Sequence, residues 1–350
     1  MTLRVRLSRG GVWCFPCFLW LVCLVVMGSG MRAQEIPAWN LVWSDEFNQR
    51  DGTAPSSIKW AYDVGGGGWG NQELQYYTWD RRENARVEGG HLLIEARKEE
   101  YTVWDGTWNY TSARLKTQGL RTWAHGRMEA RIKLPTGRGL WSAFWMLGDN
   151  ISDVGWPNCG EIDIMENVGH EPSTVHASVH GPSFNGTEGF TASKTLSAEV
   201  SVDGFHLYAV EWDRTSIRMF LDNVEYFTLA KRLVPVGEWV YDDPFYLILN
   251  LAVGGIWPGT PPASTVFPAQ MRVDYVRVYA PTTAAVPELV IRPGAAGNEV
   301  MWPGSFPQGV LYRADTPHST WTKVPMTGVF VNGMFKHEEV STGFFRLGLD

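Results

Sequence analysis

Three carboxylates fall within six residues at Glu161, Asp163 and Glu166, interleaved with Ile162, Ile164 and Met165. Along a β-strand, successive side chains point to opposite faces. Glu161 and Asp163 therefore share one face, while Ile162 and Ile164 share the other and can anchor it in a core. Strict alternation sends Glu166 to the side of the isoleucines. One β-bulge near Met165 corrects the phase and turns Glu166 towards Glu161, the kind of re-aiming that bulges perform beside active sites. Three carboxyls packed together cannot all ionise cheaply, so one glutamate can hold a proton while the other is charged at neutral pH. An acid and a nucleophile side by side are the equipment for cleaving a glycosidic bond with retention of configuration.

An acidic strand with solvated charges is the usual outcome of E-x-D-x-x-E, and here the flanks argue against it. The strand begins after Trp156-Pro157-Asn158-Cys159-Gly160, and the stretch at 139–147 contributes Trp141 and Trp145. Indole faces beside paired acids suit the flat apolar faces of pyranose rings.

The elements that must position these groups are short. Alternating or apolar runs at 91–96, 126–134, 205–212, 217–221 and 271–279 are separated by Gly, Pro, Asn and Asp. With 37 Gly and 20 Pro among 350 residues, and neither a long 3.6-residue period nor an internal repeat, they predict an all-β sandwich or jelly roll. The glycine run at 65–70 reads as a loop; it lacks the Lys-Ser/Thr pair and helix start of a phosphate cradle. Residues 36–280 form the expected catalytic domain, and 281–287 read as a linker. Strand-like runs at 288–292, 309–313, 320–324 and 344–347 make residues 288–350 a small β-module, with Trp302, Trp321, Phe344 and Phe345 as its core and a sugar-binding platform as their alternative role. Nothing in that module carries chemistry.

Residues 1–33 read as a secretory signal: Arg4, Arg6 and Arg9 precede an apolar stretch at 12–27 that is short and terminal for a membrane span of about 20 residues. Met31-Arg32-Ala33 offers a cleavage site, with Gly28-Ser29-Gly30 in competition. Cleavage removes four arginines and no acid, taking the formal charge from −7 to −11. An acidic surface disfavours nucleic acid and anionic lipid as partners. Cys14, Cys17 and Cys23 leave with the signal, so Cys159 is alone, no disulfide can form within the chain, and a small buried residue is its expected role. A secreted monomer, free of the membrane after cleavage, is the resulting expectation.

Taken together, Trp43-Ser44-Asp45-Glu46-Phe47, the stretch from Gly68 to Tyr77, Ser112-Ala113-Arg114-Leu115, the Trp141 stretch, Gly160 to Glu166, Val179-His180-Gly181, Leu249 to Gly255 and Val273 to Tyr279 resemble glycoside hydrolase family 16. The resemblance spans roughly residues 41–279 and is strongest to the family's bacterial endo-1,3-β-glucanases (laminarinases). It implies a concanavalin-like β-jelly-roll sandwich with a concave groove, polysaccharide (β-glucan) as partner and no cofactor for catalysis. Glu161 would be the nucleophile, Glu166 the general acid and then base, and Asp163 the residue that tunes the nucleophile. The extra residue before Glu166 sets the chain apart from members specialised for mixed-linkage glucan; agarases and carrageenases share it, so galactan hydrolysis is the alternative within the enzymes. A binding protein that has lost its acids is the alternative outside them, and here all three acids are present.

Asn71, Arg114, Trp141, Trp145, Trp156, His180, Asn250 and Trp257 are the groove candidates, with an ion pair the structural alternative for Arg114. His170, His176 and His180 offer no recognised zinc spacing. The resemblance also implies a structural calcium on the convex face at Glu46, Gly90 and Asp274, the last with an ordinary strand-end role as its alternative. Ser142 stands where the family's laminarinases usually have Pro, and Phe267-Pro268-Ala269-Gln270 replaces their Phe-Pro-Gln.

Overall fold

A computed structural model describes residues 39–196 and 204–281 throughout, and beyond them the backbone of seven short strands. The signal expected at 1–33 lies outside the described residues, as does the expected linker except for Pro281.

The alternating runs become two facing sheets. One has ten strands: Val224–Ala230, Ser216–Leu221, Phe205–Trp212, Gly126–Lys133, Ala269–Pro281, His91–Val103, Gly106–Ser112 and Gln75–Tyr77 in that order, with Trp39–Asp45 beside Ala269–Pro281 and Ala85–Glu88 beside His91–Val103. The other has seven: Phe190–Thr195, Thr174–His180, Glu161–Val168, Leu140–Gly148, Phe245–Val253, Arg114–Lys116 and Ala61–Asp63. Many spatial neighbours are distant in sequence, as a jelly-roll sandwich requires. The only α-helix among the described residues is the single turn Ile151–Val154.

One core lies between the sheets. Leu92, Ile94, Met128, Ile132, Val276 and Val278 meet Phe144, Met146, Ile162, Val179, Leu249 and Leu251 there, all fully or almost fully buried. Burying each such side chain contributes about 1.5–3 kcal/mol, so the sheets' facing sides are strongly specified. Phe245–Val253 shows the consequence: Leu247, Leu249 and Leu251 enter the core, and period-two alternation turns Tyr246, Ile248 and Asn250 to the opposite face.

Beyond residue 281, Val290–Pro293, Asn298–Pro303, Met334–Glu339 and Val329–Val331 form a four-stranded sheet, and Thr322–Lys323, Val310–Ala314 and Phe344–Gly348 a three-stranded one. The strands at 298–303, 329–331 and 334–339 were not expected. Met334–Glu339 ends in Lys336, His337, Glu338 and Glu339, which carry no strand pattern, and Val329–Val331 is only three residues long. The assignment of Trp302, Trp321, Phe344 and Phe345 to a core concerns side chains outside the described residues.

Candidate active site

Glu161–Val168 pairs with Leu140–Gly148 on one side, where Asp163 faces Trp145 and Met165 faces Phe144. On the other side Asp163 faces Ser178 and Glu166 faces His176. Both ladders slip by one residue, and Ile164 alone has no partner in either. Ile164 and Met165 both enter the core, and Glu166 emerges beside Glu161 and Asp163. The expected bulge is present, one residue wide, where the out-of-phase glutamate required it.

Register then lays out the site in rows across the seven-stranded sheet. Arg114, Asn250, Ala143, Glu166 and His176 form one row; Ile248, Trp145, Asp163 and Ser178 the next; Tyr246, Leu147, Glu161 and His180 a third. Adjacent strands run about 4.8 Å apart, so residues far apart in sequence converge within a few side-chain lengths. The small Ala143 leaves a slot between Asn250 and Glu166.

Each glutamate has its own indole donor. Trp156 Nε1 donates to Glu161 Oε2 at 2.7 Å, and Trp141 Nε1 donates to Glu166 Oε1 at 3.0 Å. His180 Nε2 lies 3.2 Å from Asp163 Oδ2, and the Tyr241 hydroxyl donates to the main-chain oxygen of His180 at 2.7 Å. Gly189 passes over the same imidazole: a Cβ there would sit 2.4 Å from His180 Nδ1. Asp163 faces outward yet is only 3% exposed, while Glu161 and Glu166 beside it are half-buried and open to the groove.

That burial governs the protons. Burial, then the charge of Asp163, pushes the Glu161 carboxyl up to about 8, against the opposing pull of His180 and the Trp156 N–H. Burial, then the charge of Glu161, pushes Glu166 up to about 7. Asp163 is held well above the ordinary carboxylate range by burial and by Glu166. Near neutral pH the three carboxyls therefore retain protons among them, as an acid–nucleophile pair needs.

A polar wall adjoins the acids. The Arg114 guanidinium lies 4.6 Å from the ring centre of Trp145 and 4.9 Å from that of Trp69, and pairs with Asp63 at 2.9 Å. The structural ion pair is therefore present, and the same guanidinium also lies against two indoles of this face. Trp145 Nε1 donates to Asn250 Oδ1 at 2.7 Å, Asn250 Nδ2 donates to the Tyr77 hydroxyl at 3.1 Å, and that hydroxyl donates to Glu73 Oε2 at 3.3 Å. Gln75 Nε2 donates to Glu73 Oε2 at 2.6 Å, and Asn71 Nδ2 reaches Glu73 Oε1 at 3.5 Å. Burial raises the Glu73 carboxyl. Trp257 packs edge-on against Trp141 at 5.4 Å and against His176 at 4.9 Å. All eight groove candidates thus lie on or beside this face, but Trp69, Glu73, Gln75 and Tyr77 were missed. Only Asn71 was picked from their stretch; the signal was a lone carboxylate, Glu73, set among amides and aromatics.

Cys159 is fully buried, and burial pushes its thiol up to about 11, an inert structural residue. His176 and His170 both lie beside Glu171, whereas His180 belongs to Asp163, so the three histidines do not converge. Gln270 donates to Glu95 at 2.8 Å and accepts from Arg272, on the outer face of the ten-stranded sheet and away from the acids. On that sheet Glu46 forms a two-pronged pair with Arg277, and Asp274 Oδ2 accepts from Arg131 at 2.6 Å while its Oδ1 lies 3.8 Å from His91.

The sandwich and its cluster of raised carboxyls on one face define a glycoside hydrolase. Residues 71–277 match the model of glycosyl hydrolases family 16, and the chain belongs to that family. It is 47% identical over 267 residues to a beta-glucanase of Rhodothermus marinus, covering 74% of this chain and 91% of that protein. The endo-β-1,3-glucanase structure from Pyrococcus furiosus matches with a TM-score of 0.67 at 49% identity, covering 70% of this chain and 96% of that one. The catalytic domain of an endo-1,3-β-glucanase (laminarinase) from Thermotoga petrophila RKU-1 matches with a TM-score of 0.67 at 45% identity, covering 71% and 100%. As in other glycoside hydrolases, the chemistry needs no cofactor.

Proposed function

We propose that this chain is a secreted, endo-acting hydrolase of β-1,3-glucan that works by double displacement with retention. The observation that carries the reading is that one bulge brings Glu161, Asp163 and Glu166 to a single face, with a separate indole N–H on each glutamate. Ionised Glu161 attacks the anomeric carbon while protonated Glu166 delivers its proton to the departing glycosidic oxygen. Glu166, now a carboxylate, next takes a proton from the water that releases the sugar from Glu161. In the free site the cluster shares its protons, and the productive distribution leaves Glu161 charged and Glu166 protonated. The Trp156 N–H favours the charged form of Glu161, and Asp163 can hold the remaining proton beside it. Trp145 and Trp257 offer faces for sugar rings.

The names of the relatives above support β-1,3-glucan. Electrostatics support a neutral chain over a sulfated galactan: Arg114 and Lys116, the cations of the strand at the groove wall, are both paired with Asp63 at 2.9 and 2.6 Å. A reducing-sugar assay on laminarin, lichenan, agarose and carrageenan tests this. Laminarin should be cut fastest, and faster cleavage of agarose or carrageenan would overturn the substrate assignment.

Three finer points belong to the same reading. Export rests on the arginines and apolar stretch at the N-terminus, and N-terminal sequencing of the exported protein should start near Gln34. Residues 288–350 serve as a module separate from the chemistry. A structural calcium fits Glu46, Gly90 and Asp274 in one respect: no hydrogen bond from a described residue reaches the main-chain oxygens of Glu46 or Gly90. Calcium would take those oxygens and the Asp274 carboxylate, stabilising the fold without entering the reaction. EDTA should then lower the melting temperature of the wild type and not of Asp274→Ala.

A further inference from the structure

The bulge that aims Glu166 has a counterpart across the core. In the ten-stranded sheet, Phe227 pairs with Met219 and Glu225 with Phe220, which leaves Tyr226 as the extra residue of its own strand. Regular alternation would place Tyr226 and Phe227 on opposite faces. Instead both pack against the core. The Tyr226 hydroxyl donates to the main-chain oxygen of Ile164 at 3.4 Å. Ile164 is the residue with no partner in either ladder. Two irregular residues, one from each sheet, therefore meet through one long hydrogen bond.

We propose that Tyr226 is a positioning residue for the general acid: by holding the bulged peptide at Ile164, its hydroxyl sets the phase at which Glu166 enters the groove. A bulged peptide lacks the ladder that fixes its neighbours, and its free rotation would swing the glutamate two residues on. Burial, then the charge of Glu166, raises the Tyr226 phenol, so it remains a donor throughout the working pH range. The inference rests on Glu166 being the acid, as proposed above.

The test is Tyr226→Phe, which keeps the ring and removes the donor. kcat/KM is measured on aryl β-1,3-glucooligosaccharides of graded leaving-group acidity and on laminarin. A misaimed acid should slow poor leaving groups and laminarin roughly 10- to 100-fold, as displacements of about 1 Å do, with KM little changed. A dinitrophenyl leaving group needs little proton donation and should be cleaved at the wild-type rate. Tyr208→Phe is the control, because the Tyr208 hydroxyl is buried in the same sheet without a hydrogen-bond partner among the described residues, and it should change neither class of substrate. Equal loss for good and poor leaving groups, no loss at all, or failure of Tyr226→Phe to fold would each overturn the proposal. Glu166→Ala, run alongside, separates the two claims. Leaving-group dependence there but not in Tyr226→Phe overturns the positioning role alone; none in Glu166→Ala overturns the acid assignment itself.

Discussion

Replacing Glu166 with Gln should make the protein more stable, and by an amount that depends on pH. Gln keeps the oxygen that accepts from Trp141 Nε1 and cannot ionise. The Glu166 carboxyl is raised from 4.5 to about 7, so the folded chain holds its proton across a window in which the unfolded chain has lost it. For a raised carboxyl the sign is fixed: stability falls as pH rises from about 4.5 to about 7, and above that the full cost of the buried charge is present. About 2.5 pH units at ~1.4 kcal/mol each sets an upper bound of roughly 3.5 kcal/mol. Because the carboxyl is partly open to the groove, water screens it, and about 1–2 kcal/mol is the expected gain. Chemical denaturation of wild type and Glu166→Gln at pH 4, 5, 6, 7 and 8 reads the difference directly. It should be near zero at pH 4, grow through pH 6 and level off by pH 8. A difference that is flat across the series, or largest at pH 4, would refute the argument that burial controls this carboxyl.

The same shifts should govern activity. kcat/KM should be bell-shaped, its two limbs reporting the shared titration of the Glu161, Asp163 and Glu166 cluster rather than one residue each, with both limbs above the ordinary glutamate range near ~4.3; two limbs at ordinary values would contradict the raised carboxyls. Gly254→Ala should weaken substrate binding and cost roughly 1–3 kcal/mol of stability, because Gly254 has φ 71° and a Cβ there would lie 2.5 Å from Leu74, in the loop that carries Asn71 and Glu73. Unchanged KM and melting temperature in that variant would show that the loop yields freely.

Much of the centre was legible because phase is a strict physical signal. Glu161 and Asp163 two residues apart, with isoleucines between and after them, specify a face, and Glu166 out of step specifies a bulge. The strand at 205–212 was equally plain as a short, mostly apolar run between Gly204 and Asp213, and appears with those bounds. Tertiary contacts were not legible. The sequence could mark Trp156 and Trp141 as groove aromatics, but only the folded register shows which indole serves which glutamate. The chain from Trp145 through Asn250 and Tyr77 to Glu73 links residues up to 173 positions apart, beyond any local pattern. Tyr226 was invisible for a related reason: its inward turn comes from a bulge, and no out-of-phase charge announces that one.

The central claim is that Glu161 is the nucleophile and Glu166 its partner acid. An aryl 2-deoxy-2-fluoro-β-1,3-glucooligosaccharide with a good leaving group forms the glycosyl–enzyme and hydrolyses it slowly, so the covalent adduct can be digested and located by mass spectrometry. The label should fall on the peptide carrying residues 161–166, and fragmentation should place it on Glu161. A label on Glu166, or a single-displacement product with no adduct at all, would contradict the account.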